Sequence, residues 1–340
     1  MSQPTAAGDA APATMRAVVV TRPGGLDALE IQDVPVPLRK PGWVRIRVKA
    51  FGVNESEVST RKGESDAVVT YPRVPGIEGV GVADEADEDS ELRPGQQVAT
   101  MMGGMGRSYD GAYAQYVIVP AAQVIPFETG LPWEVVGALP EMFQTAYGSL
   151  TTGLDLKAGQ SLLIRGGTST VGLSAATIAK DLGAIVLSTT RSPQRAGDLR
   201  AAGADHALVD GGTIADQVRE LMPEGVDAVL ELVGCSVLAD TLGTVRRHGT
   251  VCFTGALAGG WTIPDFSPFM IPGGVRLTSY AGQAADLPAD VFTHQLQAIA
   301  AGRLNVPVAK VYHGLEQVRD AHADIESATT PGKHVVVLDD

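Results

Sequence analysis

The sequence is poor in cysteine, in positive charge and in long apolar runs. Two cysteines, Cys235 and Cys252, in 340 residues are too few for a disulfide framework or a cysteine-based metal cluster. They favour a reducing compartment, and we expect a cytoplasmic protein. The formal net charge of −13 argues against a nucleic-acid or anionic-membrane surface, since both require clustered lysine and arginine. No apolar run reaches the roughly 18 residues typical of a membrane span.

The first fourteen residues do not contain the apolar core of a signal peptide. They are rich in alanine and proline, and we expect residues 1–14 to form a disordered lead-in. The remaining length is enough for about two domains. A hydrophobic content of 44% and 40 glycines suit an α/β protein with a sizeable core.

The most informative stretch is 161–191. The apolar run 162–164 is typical of a buried strand. A glycine-rich turn follows at 166–172, and then an alanine-rich helical segment that ends at Gly183. A second apolar run, 185–187, completes a strand–turn–helix–strand unit. This order of elements is typical of a dinucleotide-binding site.

The turn itself has the chemistry that a pyrophosphate needs, which is backbone N–H groups at a helix N-terminus with no side chains in the way. Gly167 suits the tight turn, and Gly172 allows helix and strand to pack closely. Ser169 stands where the middle glycine of G-x-G-x-x-G is usual, so the spacing alone leaves an ordinary βα turn as the alternative. The predicted phosphate-binding residues of the turn are Gly167, Thr168, Ser169, Thr170 and Gly172.

The end of the second strand distinguishes between cofactors. An NAD site usually has an acidic residue there, which binds the ribose 2′-hydroxyl. This chain has Thr190, Arg191, Ser192 and Arg195 instead, and no acid from 189 to 195. Arginines and hydroxyls would attract a 2′-phosphate, so the segment predicts NADPH. The alternative is that the arginines belong to a solvated helix start.

The pattern of elements changes along the chain. Before about residue 132 it is β-rich without βαβ alternation, whereas strands and helices then alternate at the spacing of a parallel sheet. Several motifs appear in a fixed order: 76–81 (GIEGVG), 93–98 (RPGQQV), 143–147 (FQTAY), 166–172 (GGTSTVG) and 331–336 (PGKHVV).

Together these motifs resemble those of the medium-chain dehydrogenase/reductase superfamily, in its zinc-free quinone oxidoreductase (zeta-crystallin-like) branch. The resemblance covers nearly the whole chain from Met15. It implies an α/β fold in which a GroES-like β-rich catalytic domain, 15–138 and 283–340, is interrupted by a Rossmann domain with a doubly wound parallel sheet, 139–282.

The resemblance also provides a test for zinc. Zinc-dependent alcohol dehydrogenases of this superfamily carry Cys, His and Cys about where Asn54, Ile77 and Glu141 stand. Isoleucine cannot bind a metal, and asparagine is a poor zinc ligand. Both cysteines lie in the expected Rossmann part. The resemblance therefore implies an enzyme with no metal site.

By resemblance, the chain's cofactor and catalytic residues fall at defined positions. Asn54 and Thr145 should lie near the nicotinamide, with Glu141 a candidate proton donor. The remaining expected cofactor contacts are Val171 and Val233 along the cofactor, Gly255, Ala256 and Leu257 at the carboxamide, and Lys333 at the phosphates. The alternatives are a helix cap for Asn54, ordinary core for Val171, a structural pair for Glu141 and a solvated strand end for Lys333.

The proton donor stays open, because some relatives place a tyrosine within the segment here occupied by 59–66, which has none. Tyr71, Tyr109 and Tyr113 are substitutes by proximity only; solvent or the ribose hydroxyl are the other options.

Without a metal, a quinone or an α,β-unsaturated carbonyl (enone) is the more suitable hydride acceptor, since conjugation spreads the incoming charge. Two alternatives remain: an enoyl reductase or tailoring enzyme of a biosynthetic pathway, and an NADPH-binding protein without turnover. The resemblance implies a homodimer that meets a small-molecule substrate and neither nucleic acid nor membrane.

Overall fold

The computed structural model describes residues 12–65, 68–327 and 332–339. Most of the expected disordered lead-in, residues 1–11, lies outside this part, as do Asp66 and Pro331. The first strand already begins at Thr14, the last residue of the expected lead-in.

The described residues form strands β1 to β15, most of them short. Their bounds, in chain order, are Thr14–Val20, Leu29–Pro35, Trp43–Val53, Glu78–Glu85, Gln97–Met101, Tyr116–Pro120, Val124–Pro126, Ser161–Arg165, Ile185–Thr190, His206–Val209, Val226–Glu231, Val245–Phe253, Arg276–Ser279, Val308–His313 and Lys333–Val337.

Helices α1 to α9 connect these strands. Their bounds are Glu55–Lys62, Trp133–Val136, Pro140–Gly148, Thr170–Leu182, Ala196–Ala201, Ala215–Leu221, Leu238–Gly243, Ala289–Ala300 and Val318–Ser327. A π-helical turn, Ser149–Gly153, continues α3, and short 3₁₀ turns lie between other elements. Within the described residues, no helix has both the length and the apolar character needed to cross a membrane.

The chain divides into two compact units. The first comprises the described residues of Met1–Glu141, Pro288–Leu296 and Val308–Asp340. Its main sheet has the order β14-β15-β3-β4-β5-β7, with β6 also paired to β3, and β1 and β2 form a separate hairpin. All pairs are antiparallel except β14 with β15.

Strand β3 shows why this sheet forms, because its side chains alternate along the strand. Val44, Ile46 and Val48 are buried in the core of the first unit. On the other face Arg45 is largely buried and pairs with Asp84 at 2.5 Å and with Glu85 at 2.9 Å. Asp84 and Glu85, the last two residues of β4, therefore provide counter-charges to β3.

The second unit comprises Met142–Leu287 and Gln297–Pro307. Its six-stranded sheet has the order β10-β9-β8-β11-β12-β13, and every pair is parallel. Counted along the chain this is the order 3-2-1-4-5-6 of a doubly wound dinucleotide-binding sheet. The predicted parallel sheet is thus confirmed. The domain boundaries expected at 139 and 283 stay a proposal.

Helices cover both faces of this sheet, as the alternation of β8 shows. Leu162 and Ile164 contribute to the core on one face, and Leu163, between them, contributes to the core on the other. All three side chains are fully buried. A strand buried on both faces reads as a continuous apolar run, which is why 162–164 was recognisable in the sequence.

Candidate functional site

The glycine-rich turn of the second unit joins β8 to the N-terminus of α4. Ser169 is the N-cap of α4, and its Oγ accepts a hydrogen bond from the backbone N–H of Gly172 at 3.1 Å. The first N–H groups of a helix have no partner within it, and the helix dipole places partial positive charge there. The N–H groups of Thr170 and Val171 stand at this end, so the turn fits a phosphate.

The glycines of the turn are needed for close backbone approach. A Cβ added at Gly172 would lie 2.6 Å from the carbonyl oxygen of Gly166 and 2.8 Å from Cα of Gly167. A Cβ at Gly167 would overlap Oγ of Ser188 in β9. The glycines therefore allow α4 to approach the backbone of the turn closely. Gly166, which the sequence reasoning did not single out, has φ of +89°, a conformation that favours glycine.

The segment after β9 lies against this turn. Arg195 donates from Nη2 to the carbonyl oxygen of Thr168 at 3.1 Å, which joins the two predicted phosphate-binding segments. The hydroxyl of Thr190 makes two hydrogen bonds with the backbone of Ser192. It accepts from the Ser192 N–H and donates to the Ser192 carbonyl, each at 3.2 Å. The Arg191 side chain is exposed. Two guanidinium groups and two hydroxyls thus lie within residues 190–195, and their binding of a 2′-phosphate stays a proposal.

Two further predicted segments meet beside the turn. The N–H of Leu257 donates to the carbonyl of Leu232 at 3.0 Å, and that of Ala258 to the carbonyl of Val233 at 2.9 Å. A Cβ at Gly166 would lie 3.2 Å from Leu257 Cδ1 and 3.4 Å from Val233 Cγ2. The structure therefore brings together the turn, Val233 and the segment Gly255–Ala256–Leu257.

Sequence reasoning missed the residue that fixes this arrangement. Glu231, the last residue of β11, accepts from the N–H of Val233 at 2.6 Å and from that of Gly234 at 3.1 Å, and the hydroxyl of Thr241 also donates to it. Burial raises the pKa of its carboxyl, although these donors oppose the shift. An acidic residue directly after the apolar run 228–230 was the available signal.

Thr145 lies in α3 of the second unit and is largely buried. Its hydroxyl donates to Oε1 of Gln144 at 3.3 Å, and its carbonyl accepts from the Ser149 hydroxyl at 2.7 Å. Gln144 in turn donates to the hydroxyl of Tyr280 at 2.5 Å. Nothing in these contacts tests its expected place near a nicotinamide, which stays a proposal.

The first unit holds a buried polar cluster around Lys333. Its ammonium is 1% exposed and contacts Oδ1 of Asn54, Oε1 of Glu78 at 2.6 Å and Oε2 of Glu141 at 3.0 Å. Burial disfavours its charge, but the charges of Glu78 and Glu141 outweigh that effect and raise the Lys333 pKa. The ammonium therefore stays protonated near neutral pH.

The carboxylates of the cluster are held by N–H donors. Oε2 of Glu78 accepts from the Glu141 N–H at 2.8 Å, and Oε1 from Nδ2 of Asn54 at 3.0 Å. Glu57 accepts from the N–H of Asn54 at 3.0 Å and from that of Ile77 at 2.9 Å. Complete burial raises the pKa of Glu57 to about 7 and also raises that of Glu78. Two residues of this cluster, Glu57 and Glu78, were not predicted.

A glycine in β3, Gly52, leaves room for the side chains of this cluster. Gly52 lies in β3, and a Cβ there would be 2.8 Å from Cδ of Glu78 and would overlap the Lys333 side chain. Signals for the missed residues existed: Glu57 is the third residue after the cap Asn54, as in a capping box, and Glu78 lies within 76–81.

The contacts of this cluster bear on the roles expected for Lys333, Asn54 and Glu141 and for three tyrosines. Lys333 is neither a solvated strand end nor a residue with a free ammonium for phosphates, because burial and three oxygen contacts engage it. Asn54 does cap α1, and Glu141 is in an ion pair. The three tyrosines considered as proton donors have other partners: Tyr71 donates to the Thr60 carbonyl, Tyr109 to Gln123, and Tyr113 contacts His322.

The donor set does not fit zinc. Of the three positions expected from zinc-dependent relatives, Ile77 offers a buried apolar side chain, and the other two direct oxygens at an ammonium. In the part of the chain that the structure describes, no three His, Cys, Asp or Glu side chains are arranged to hold a metal ion.

Comparison with known sequences agrees with the fold. Residues 40–129 match the alcohol dehydrogenase GroES-like domain, and residues 202–336 match a family described as zinc-binding dehydrogenase. The chain is 30% identical to prostaglandin reductase-3 of Bos taurus over 273 residues, covering 77% of this chain and 68% of that protein. It is 27% identical to human quinone oxidoreductase over 331 residues, covering 95% and 98%.

Other relatives are longer than this chain. The rat synaptic vesicle membrane protein VAT-1 homolog is 28% identical over 241 residues, which are 70% of this chain and 58% of that protein. This chain therefore matches less than two thirds of that relative's length.

Solved structures have the same fold. A mycobacterial protein, Rv1454c, solved in complex with NADPH, has a TM-score of 0.81 and 27% identity, covering 95% of this chain and 99% of that one. A structure described as an NAD-dependent alcohol dehydrogenase has a TM-score of 0.84 and 26% identity, covering 96% and 100%. The sequence matches, the GroES-like domain and the doubly wound sheet together show that the chain belongs to the medium-chain dehydrogenase/reductase superfamily.

Proposed function

We propose that this chain is a zinc-independent, NADPH-dependent oxidoreductase that reduces a quinone or an α,β-unsaturated carbonyl. The observation that carries the proposal is that the two predicted phosphate-binding segments of the second unit are joined, because Arg195 donates to the carbonyl of Thr168 in the glycine-rich turn. The human quinone oxidoreductase and bovine prostaglandin reductase-3 matches support the reaction class.

In this proposal the N–H groups at the start of α4 bind the pyrophosphate, and Arg191 and Arg195 bind the 2′-phosphate. Val233 and Leu257 pack along the nucleotide beside Gly166, and Glu231 holds their turn in place. When bound, NADPH supplies the hydride. We assign Asn54 and Thr145 to the nicotinamide end, as the family resemblance implies.

The Lys333 cluster supports the proposed acceptor class. Its ammonium already has three oxygen partners, so it has no N–H left for an alkoxide. A conjugated acceptor needs less help, because its own electrons delocalise the charge that arrives with the hydride. The structure brings no tyrosine hydroxyl to this cluster among the contacts of the described residues, and we leave the final proton to solvent or the ribose hydroxyl.

An acceptor screen with NADPH tests the proposal. We expect the loss of NADPH absorbance with small quinones or enones, unchanged after treatment with a chelator. Turnover restricted to enoyl thioesters would indicate an enoyl reductase or a biosynthetic tailoring enzyme instead. Nucleotide binding without consumption across quinones, enones and thioesters would contradict an enzymatic role.

We further propose a homodimer formed through the second unit. Strand β13 is an edge of the six-stranded sheet, and the segment before it exposes large apolar side chains: Trp261 at 68% and Phe269 at 98%. Exposed apolar groups of this size favour a protein interface. Cytoplasmic location also remains a proposal, based on the two free cysteines.

Phe269→Glu is expected to convert the dimer to a monomer, because it places a charge in an apolar interface. Light scattering after size-exclusion chromatography measures the mass. Leu38→Glu is the control, since Leu38 is 83% exposed in the first unit. A monomeric wild-type protein, or a dimer that persists in Phe269→Glu, would contradict this assignment.

A further inference from the structure

A chain of hydrogen bonds joins α3 to the carboxyl end of β12. Ser149, which is fully buried, opens the π-helical turn that continues α3, and its Oγ lies 2.7 Å from the carbonyl oxygen of Thr145. The same Oγ lies 3.0 Å from Oγ1 of Thr254, the residue that follows β12. Oγ1 of Thr254 in turn lies 3.5 Å from Sγ of Cys252. Helix and strand are therefore connected through side chains of the second unit alone.

The direction of this chain follows from its acceptors. A carbonyl oxygen can only accept, so the hydroxyl hydrogen of Ser149 is used on Thr145. The contact between the two hydroxyls then needs Thr254 as its donor, which leaves Cys252 to donate its S–H to Thr254. Burial raises the pKa of the Cys252 thiol, although the hydrogen bond with Thr254 opposes the shift, so the proton stays on sulfur near neutral pH. Each hydrogen thus has one place, and loss of the Thr254 hydroxyl would break two bonds of the chain.

A second contact holds α3 against the same strand end. The side-chain amide of Gln144 donates to the hydroxyl of Tyr280 at 2.5 Å, and the N–H of Tyr280 donates to the carbonyl of Phe253 at 3.0 Å. A Cβ added at Gly148 would overlap the Tyr280 hydroxyl, so the helix approaches Tyr280 as closely as a glycine allows. Doubly wound sheets bind their ligands beyond the carboxyl ends of the strands. Since α3 is fixed at this end of the sheet, its residues lie where a nucleotide is expected to bind.

We propose that Ser149 and Thr254 are positioning residues for the nicotinamide end of the nucleotide, an inference that rests on the proposed function. Thr254 directly precedes Gly255–Ala256–Leu257, the segment assigned to the carboxamide, and Ser149 holds the carbonyl of Thr145, which is assigned to the nicotinamide. The hydroxyl pair thereby sets the spacing between these two segments. Within the described residues, no hydrogen bond joins either hydroxyl to the glycine-rich turn, so the pair should act on one end of the nucleotide only.

Calorimetry with two probes tests this inference: NADPH, and 2′-phospho-ADP-ribose, which keeps the phosphates and lacks the nicotinamide. Thr254→Val keeps the shape of the side chain and removes its hydroxyl. In this variant the Kd for NADPH should rise about tenfold, and the Kd for 2′-phospho-ADP-ribose should change by less than about twofold. Ser149→Ala should have the same effect on the ratio of the two Kd values. Thr254→Ser restores the hydroxyl and should return this ratio to its wild-type value.

Thr151→Ala is the matched control. Thr151 lies in the same π-helical turn, and its hydroxyl also donates to a carbonyl four residues earlier, that of Tyr147 at 2.8 Å, but Thr151 is exposed. This variant should leave both Kd values unchanged.

Equal changes for both probes in Thr254→Val and Ser149→Ala would show a merely structural role and overturn the inference. So would unchanged Kd values, or a ratio that Thr254→Ser does not restore. If one of the two variants does not fold, the other gives the same comparison. A wild-type protein that binds neither probe would overturn the proposed function, and this inference with it.

Discussion

In Arg191→Asp, the ratio of kcat/KM for NADPH to that for NADH is expected to fall about a hundredfold. The change removes a charge-assisted contact to the 2′-phosphate and adds a carboxylate that repels it. Two effects of about 1.5 kcal/mol each give this factor, since every 1.4 kcal/mol is tenfold. The same carboxylate can accept a hydrogen bond from the free 2′-hydroxyl of NADH, so activity with NADH should persist or rise.

Steady-state kinetics with both nucleotides measures the ratio. Arg200→Asp is the matched control, because Arg200 is also exposed and lies on α5, a short distance along the chain. It makes the same change in net charge and should leave the ratio nearly unchanged. An unaltered ratio in Arg191→Asp, or an equal fall in both variants, would contradict the assignment of the segment after β9.

Arg165→Met is expected to lower the free energy of unfolding of the second unit by about 3–5 kcal/mol. The Arg165 side chain is fully buried, and it pairs bidentately with Asp210 at 2.8 and 3.1 Å and with Asp240 at 2.8 Å. Burial opposes the Arg165 charge, but Asp210 outweighs it and raises the Arg165 pKa. Methionine fills much of the volume and leaves both carboxylates without this partner.

Urea unfolding followed by circular dichroism measures this loss. Arg246→Met is the control, because Arg246 pairs with Asp227 at 2.7 Å where both side chains are partly exposed. Such a pair contributes at most about 1 kcal/mol. Equal losses in the two variants would show that burial does not decide the strength of these pairs. Because Arg165 directly precedes Gly166, we also expect weaker nucleotide binding in Arg165→Met.

The second unit was largely predictable because its signals are local. A buried strand, a glycine turn and a capped helix follow one another within 161–183, and the close approach at Gly172 depends on neighbours only a few positions away. The absence of an acid after β9 is equally local. Such patterns identify the parallel sheet and predict its phosphate-binding end without any knowledge of distant contacts.

The Lys333 cluster was not predictable in the same way. Lys333 and Asn54 are 279 positions apart, and lysine is among the residues least often buried. Only the sheet pairing of β15 with β3 brings them together, since His334 lies opposite Val53. The family resemblance assigned Asn54, Thr145 and Lys333 to contacts with the cofactor. Such a resemblance does not show which charged side chain forms an ion pair with which other side chain.

The pairing of β15 with β3 has a consequence for biosynthesis. The first unit's central strand, β3, is translated well before its partner β15. A nascent chain therefore carries an open strand edge and an uncompensated pair of acids until β15 has been synthesised. Such edges favour association with other chains, so protection by chaperones during this interval should govern the yield of this protein.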